Sequence, residues 1–204
     1  MNLPSVSVII PAIGRPSLEK ILKVLVPQLT PGDEIQVIGD GPMPTSKKIS
    51  ESIGSPLVKY DEQGPFWKWG NPQRNIGIDR AVGQYLWFID DDDDPFPNSI
   101  TLIKTIVAQK MGHMHLFHVS YNGAPLPKMT DPRIYCGNVT GQCFVAPNTK
   151  GRLGKWTENY EGDFSFITET IDLYPRKARD LVRHDEIICS VFPAGKRPID
   201  KTSR

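Results

Sequence analysis

Five consecutive aspartates, Asp90 to Asp94, follow directly on the apolar segment Tyr85-Leu86-Trp87-Phe88-Ile89. The segment has the composition and length of a buried strand, so the chain must place a cluster of carboxylates where that strand leaves the core. Neighbouring charges about 4 Å apart repel by about 1 kcal/mol in water and several-fold more in partly desolvated protein, so such a cluster is costly alone. A bound divalent cation removes that cost, and hard ions favour a few carboxylates together with phosphate oxygens. A solvated acidic loop is the plainer alternative. Open α/β sheets hold ligands just beyond the carboxyl ends of their strands, which favours the cation.

The rest of the first half alternates strand and helix. Val6-Ser7-Val8-Ile9-Ile10 is β-branched and ends at Pro11; Leu18, Ile21, Leu22, Leu25 and Leu29 then recur at helical spacing behind Pro16-Ser17, with Gly32 as the stop. A second strand, Glu34 to Ile38, runs into the turn Gly39-Asp40-Gly41-Pro42, and a weaker helix–strand pair extends to Tyr60. Asp61 to Pro72 reads as loop, Gln73 to Val82 as a helix, and Ile100, Ile103, Ile106 and Val107 as the apolar stripe of the helix after the aspartates. Short links between alternating elements predict an α/β fold, a mostly parallel central sheet with helices on both faces.

The second half is less regular. His115 to Val119, Thr140 to Ala146 and Glu186 to Val191 read as strands, Tyr121 to Ile134 as a Pro/Gly-rich excursion, and Phe164, Ile167, Ile171 and Tyr174 as one helix face. The expected organisation is one domain over 1–192, with a nucleotide-binding half before about residue 110 and an acceptor half after it. The polar tail 193–204, with Lys196, Arg197, Lys201 and Arg204, is expected to be disordered. With 24 basic and 23 acidic residues the net charge is +1, so no whole-protein field draws in nucleic acid or membrane. Three cysteines, odd in number and without C-x-x-C spacing, indicate neither a disulfide framework nor a zinc site, and fit buried thiols in a reducing cytoplasm. The apolar run Val6 to Ile10 is too short for a signal peptide or membrane span, so a cytoplasmic protein without stable membrane insertion is expected.

"SVSVIIPAIGRPSLEKIL", "VIGDGP", "NPQRNIGIDRAVGQYLWFIDDDDDPFPNSI" and "NYEGDFSFI" resemble successive motifs of GT-A fold, family-2-like glycosyltransferases, over most of residues 5 to 191. The nearest likeness is to small stand-alone members found in bacteria and their phages. The resemblance implies transfer of a sugar from a nucleotide diphosphate donor to an acceptor hydroxyl, with Mn²⁺ or Mg²⁺ as cofactor. It places Pro11, Asp40, Gly41, Arg74 and Asp90 around the donor. Asp90 and Asp92 become the two acids of a D-x-D motif, with Asp92 the closer metal ligand, Asp93 in support, and Asp91 and Asp94 directed elsewhere. Asp163 falls where the family carries its acidic base, with Glu161 as alternate and inversion at the anomeric carbon. His184 falls where a C-terminal group can complete the metal site.

Each assignment has a plainer reading beside it. Asp40 is also a turn residue, Arg74 a helix cation, Asp163 a helix N-cap, and His184 a structural histidine at a strand start. Trp67 and Trp69 offer flat faces to a sugar or base, or pin their loop to the core. Gly39-Asp40 lacks the paired acids frequent in the family, and no aromatic stands near Ile13, which leaves uridine, guanosine and thymidine donors open with UDP-sugars favoured. A lipid-linked glycan, a protein hydroxyl and hydroxymethylated bases of phage DNA all suit such an enzyme as acceptor. A sugar-phosphate nucleotidyltransferase would need more glycine after the first strand than Pro11-Ala12-Ile13-Gly14-Arg15 provides, and a calcium-binding interaction module would need alternating ligands.

Overall fold

In the computed structural model, which describes residues 3–131 and 133–192, strand and helix alternate as β1 (Val6–Ala12), α1 (Ser17–Leu25), β2 (Glu34–Asp40), α2 (Pro44–Ser52), β3 (Val58–Gln63), α3 (Asn71–Arg80) and β4 (Tyr85–Phe88). The chain continues through β5 (Asp94–Pro95), α4 (Ser99–Val107), β6 (Met114–Tyr121), β7 (Ala124–Leu126), β8 (Phe144–Pro147), α5 (Gly162–Leu173) and β9 (Leu181–Val191). The strands form one sheet in the order β3-β2-β1-β4-β8-β6-β9-β5, with β7 paired to β6. Strands β3, β2, β1, β4, β6 and β9 run in one direction and β5, β7 and β8 oppose them, so the sheet is mostly parallel as expected. Every residue of β1, β2 and β4 is buried, which requires cover on both sheet faces.

Several boundaries differ from the sequence reading, each for a local reason. Helix α1 buries Leu18, Ile21, Leu22 and Leu25 but stops at Leu25, ahead of the expected Leu29. Pro27 has no N–H to donate and its ring would strike the carbonyl four residues back, so Val26–Gln28 tightens into a 3₁₀ turn. The segment 61–72 is loop only in its middle: β3 continues to Gln63, and α3 begins at Asn71 because Pro72 in the first turn forfeits a donor that has no partner there anyway. The strand expected from Thr140 starts at Phe144, after a 3₁₀ turn over Gly141–Cys143 that presses Gly141 against Trp156. Strand β9 starts at Leu181, five residues early. Its charged stretch 183–186 conceals the pattern, and it is tolerated because β5 covers only Cys189 and Ser190 on the outer side. The tail 193–204 lies outside the described residues.

The parallel registers bring Ala12 beside Gly39 and Ile9 beside Phe88, so the carboxyl ends of β1, β2 and β4 open on one edge. All the loops considered next leave from that edge or fold over it.

Candidate active site

The five aspartates leaving β4 have divided roles. Asp91 is buried; its carboxylate accepts the Ile13 N–H (2.9 Å) and pairs with Arg15 (2.6 Å), while its carbonyl accepts the Ser17 hydroxyl (2.6 Å), so it fixes the turn between β1 and α1. Asp94 pairs with Lys20 at 2.9 Å. Asp93 is buried, and one oxygen accepts both the Asp90 N–H (2.7 Å) and the Gln142 amide (3.1 Å). Burial, reinforced by the Asp90 charge, holds the Asp93 carboxyl well above the ordinary carboxylate range. Asp90 and Asp92 are partly exposed, as is Asp94: Asp90 ion-pairs with Arg74 and accepts the Gln142 amide (3.0 Å), and Asp92 lies 3.4 Å from Arg15.

Arg74 is held from several sides. Its guanidinium donates to the Trp69 carbonyl (2.9 Å) and the Asn71 side-chain oxygen (3.2 Å), reaches Asp90, and sits 4.6 Å from the ring centre of Trp156. Such a planar fork over an aromatic face is a fixed cation that lysine cannot reproduce. Asn71 donates to the carbonyls of Thr157 and Asn159, both at 2.8 Å, and thereby ties the start of α3 to the loop before α5. That approach is close enough that a Cβ on Gly162 would lie 2.3 Å from the Asn71 amide nitrogen. The loop delivers Asp163 into the first turn of α5, one residue inside the helix rather than at its cap, with its carboxylate accepting the Phe164 N–H (2.7 Å). Burial pushes the Asp163 carboxyl up, the Phe164 N–H and Arg74 charge oppose this, and Asp90 adds to it. Asp163, Arg74 and Asp90 therefore share one electrostatic environment. Glu161 is exposed beside Cys136.

The donor-side residues of the sequence reading line the other rim. Asp40 is buried, and its two oxygens accept the N–H groups of Phe66 (2.6 Å) and Trp67 (3.0 Å), so it anchors the 64–70 loop. The same loop lies over Pro11 and Gly41: a Cβ on Gly70 would approach Pro11 to 2.7 Å, and one on Gly41 would approach Pro65 to 3.2 Å.

His184 is not brought to the carboxylates. Strand β9 meets the aspartate run only at its far end, where Ser190 pairs with Asp94, and His184 lies six residues earlier, roughly 20 Å along the strand. Its Nε2 is instead 2.9 Å from His115 Nδ1, and the two rings stack at 5.1 Å with Phe117 alongside at 4.6 Å. Among the described residues no group of three or more His, Cys, Asp or Glu side chains is arranged to hold a metal. Asn71 and Trp156 had no assigned part in the sequence reading and Gln142 no role. Only Asn71 carried a signal, as the residue before a proline at a helix start.

The model of glycosyl transferase family 2 matches residues 7–133, more than half of the chain. The chain belongs to glycosyl transferase family 2. Among curated proteins, this family 2 chain is 27% identical over 118 residues to the GalNAc(5)-diNAcBac-PP-undecaprenol beta-1,3-glucosyltransferase of Campylobacter jejuni, covering 56% of the chain and 38% of that protein. It is 28% identical over 173 residues to an uncharacterized glycosyltransferase of Rickettsia conorii, covering 78% of the chain and 28% of that protein. The chain thus spans well under half the length of these relatives. In fold it is similar to S. aureus TarS 1-349 (TM-score 0.74, 16% identity, 92% of this chain and 60% of that one). It is also similar to the mannosyltransferase PcManGT of Pyrobaculum calidifontis solved with GDP-Man and Mn²⁺ (TM-score 0.67, 15% identity, 94% and 57%). These similarities establish the GT-A fold of this family 2 chain.

Proposed function

We propose that the protein transfers a sugar from a nucleotide diphosphate sugar to an acceptor hydroxyl, with metal assistance and inversion of the anomeric carbon. The observation that carries the reading is the convergence of Arg74, the partly exposed Asp90 and Asp92, and Asp163 at the carboxyl edge of the parallel strands. Asp90 and Asp92 offer hard oxygen donors that are partly open to solvent. That donor set fits Mn²⁺ or Mg²⁺ completed by diphosphate oxygens and water, as such ions favour. A cation there would neutralise charge on the departing diphosphate. Arg74 orients Asp90 through their ion pair and keeps a fixed positive charge beside the diphosphate. Asp163 takes the proton of the acceptor hydroxyl while the new C–O bond forms and the bond to the diphosphate oxygen breaks on the opposite face.

UDP-sugars are the favoured donors. TarS, a relative in fold, has been solved with UDP and with UDP-GlcNAc, whereas PcManGT was solved with GDP-Man, so GDP-sugars are the second choice. The relative from Campylobacter acts, by its name, on a glycan carried on undecaprenol diphosphate, which makes a saccharide acceptor the leading class. The Asp92→Asn variant tests the metal: it should melt no lower than the wild type, because a like charge has been removed, yet lose most transfer. Chelation of the wild type should act alike, and full activity in both experiments would remove the metal from the mechanism.

A further inference from the structure

Three aromatic side chains at the rim of the site stand in solvent: Trp67 (69% exposed), Trp69 (58%) and Tyr160 (78%). Both tryptophans also occupy the left-handed backbone region, with φ of 55° and 53°. A bulky residue there is a true outlier, and strain of this kind persists only where surrounding contacts impose it. The contacts are visible: Asp40 grips the amides of Phe66 and Trp67, the Trp69 carbonyl accepts from Arg74, and the Asn71 N–H donates to the Lys68 carbonyl (3.0 Å). The loop is therefore fixed in a shape that bears two conformational costs and leaves its largest apolar surfaces uncovered.

From the opposite half of the chain, Tyr160 meets Trp69 edge to face, with ring centres 6.1 Å apart and planes at 79°. The Asn71 side chain makes this meeting possible by bonding the Thr157 and Asn159 carbonyls immediately before Tyr160. Two rings at nearly a right angle form a corner, three residues ahead of Asp163. We propose that Trp69 and Tyr160, with Trp67 beside them, form a stacking site for a pyranose ring of the acceptor, so that the acceptor is a saccharide; this rests on the transferase reading above. The C–H face of a pyranose is apolar and weakly positive, and it complements the negative face of an aromatic ring. The surroundings favour a neutral ring over a nucleic acid strand. Exposed Glu158 and Glu161 flank Tyr160 in the chain, and their charge disfavours the phosphates of a nucleic acid strand at the corner.

Intrinsic fluorescence tests the site directly, since the other two of the four tryptophans, Trp87 and Trp156, are buried. Full-length protein is titrated with chitotriose, cellotriose and maltotriose, and separately with UDP plus Mn²⁺ by melting temperature. The expected result is a saturable emission change with at least one trisaccharide, with half-saturation raised about ten-fold or more in Trp69→Ala and Tyr160→Ala, and largely kept in Trp69→Phe, which preserves a flat ring. No response to any trisaccharide, or a response unchanged in both alanine variants, overturns the proposal. A response to uridine or oligothymidylate in place of the saccharides also overturns it and gives the rings to a base. The melting experiment judges the donor reading independently, because stabilisation by UDP does not depend on what the rings hold.

Discussion

In the proposed mechanism Asp163 takes the acceptor proton, and its environment lets that role be separated from its hydrogen bond to the Phe164 N–H. Asparagine can still accept the Phe164 N–H that the carboxylate now accepts at 2.7 Å, so Asp163→Asn should fold and bind donor normally. Single-turnover transfer should nonetheless fall by on the order of 10²-fold, the usual contribution of a general base. The base works ionised, and burial raises its pKa, so the wild-type rate should decline with falling pH from above the ordinary aspartate value of about 3.9. That acid limb should vanish in the variant; a limb that survives there would place the base elsewhere, with Glu161 the first alternative. The sequence displayed Asp90, Asp92, Arg74 and Asp163 because charged residues at strand and helix junctions stand out from their neighbours. Gln142 and Asn71 were illegible in their roles. Each is a neutral amide that donates to partners 49 to 88 residues away, and only the folded topology creates those contacts.

At the level of elements, close approach between α3, β4 and β1 sets the precision of the donor side. A Cβ at Gly77 would lie 2.5 Å from Ile9 Cγ2, and one at Gly83 would lie 2.4 Å from the Ser7 backbone nitrogen. Overpacking of this kind costs about 1–3 kcal/mol. Gly77→Ala recovers about 1 kcal/mol of helix propensity and meets a side chain, so its melting temperature should fall less than that of Gly83→Ala, which meets backbone. The reverse order would show that α3 moves more easily than β1 permits here. Farther along the sheet, the pairing of β6 with β9 stacks the partly buried His184 on the fully buried His115. Burial, aided by the His184 charge, lowers His115 from 6.5 to about 3. The unfolded chain therefore binds the proton first, and stability should drop as pH falls from about 6.5 toward 3. Melting curves of His115→Phe should show a shallower loss between pH 7 and 5 than the wild type; parallel losses would mean that other groups govern acid unfolding. The alternation of the first half made its elements readable in advance. The start of β9 was hidden because polar residues on an outer strand carry no inward pattern.

Across the whole molecule, the two halves are more entangled than their sequence order suggests. The expected boundary near residue 110 falls between α4 and β6, yet β4 does not pair with β6: β8, from residues 144–147, is inserted between them in the opposite direction. The aromatic corner and the Asn71 bridge are likewise shared between a loop before residue 71 and one after residue 156. A fragment ending at residue 112 should therefore fail to yield a soluble, cooperatively melting protein, and a monomeric fragment with a sharp melting transition would contradict this. During synthesis the same insertion has a temporal meaning. The exposed side of β4 emerges from the ribosome nearly sixty residues before the strand that will cover it, and through that interval it is an open template for pairing with other chains. Translation speed between α4 and β8, as well as the equilibrium fold, should thus decide how much of this protein reaches its native state.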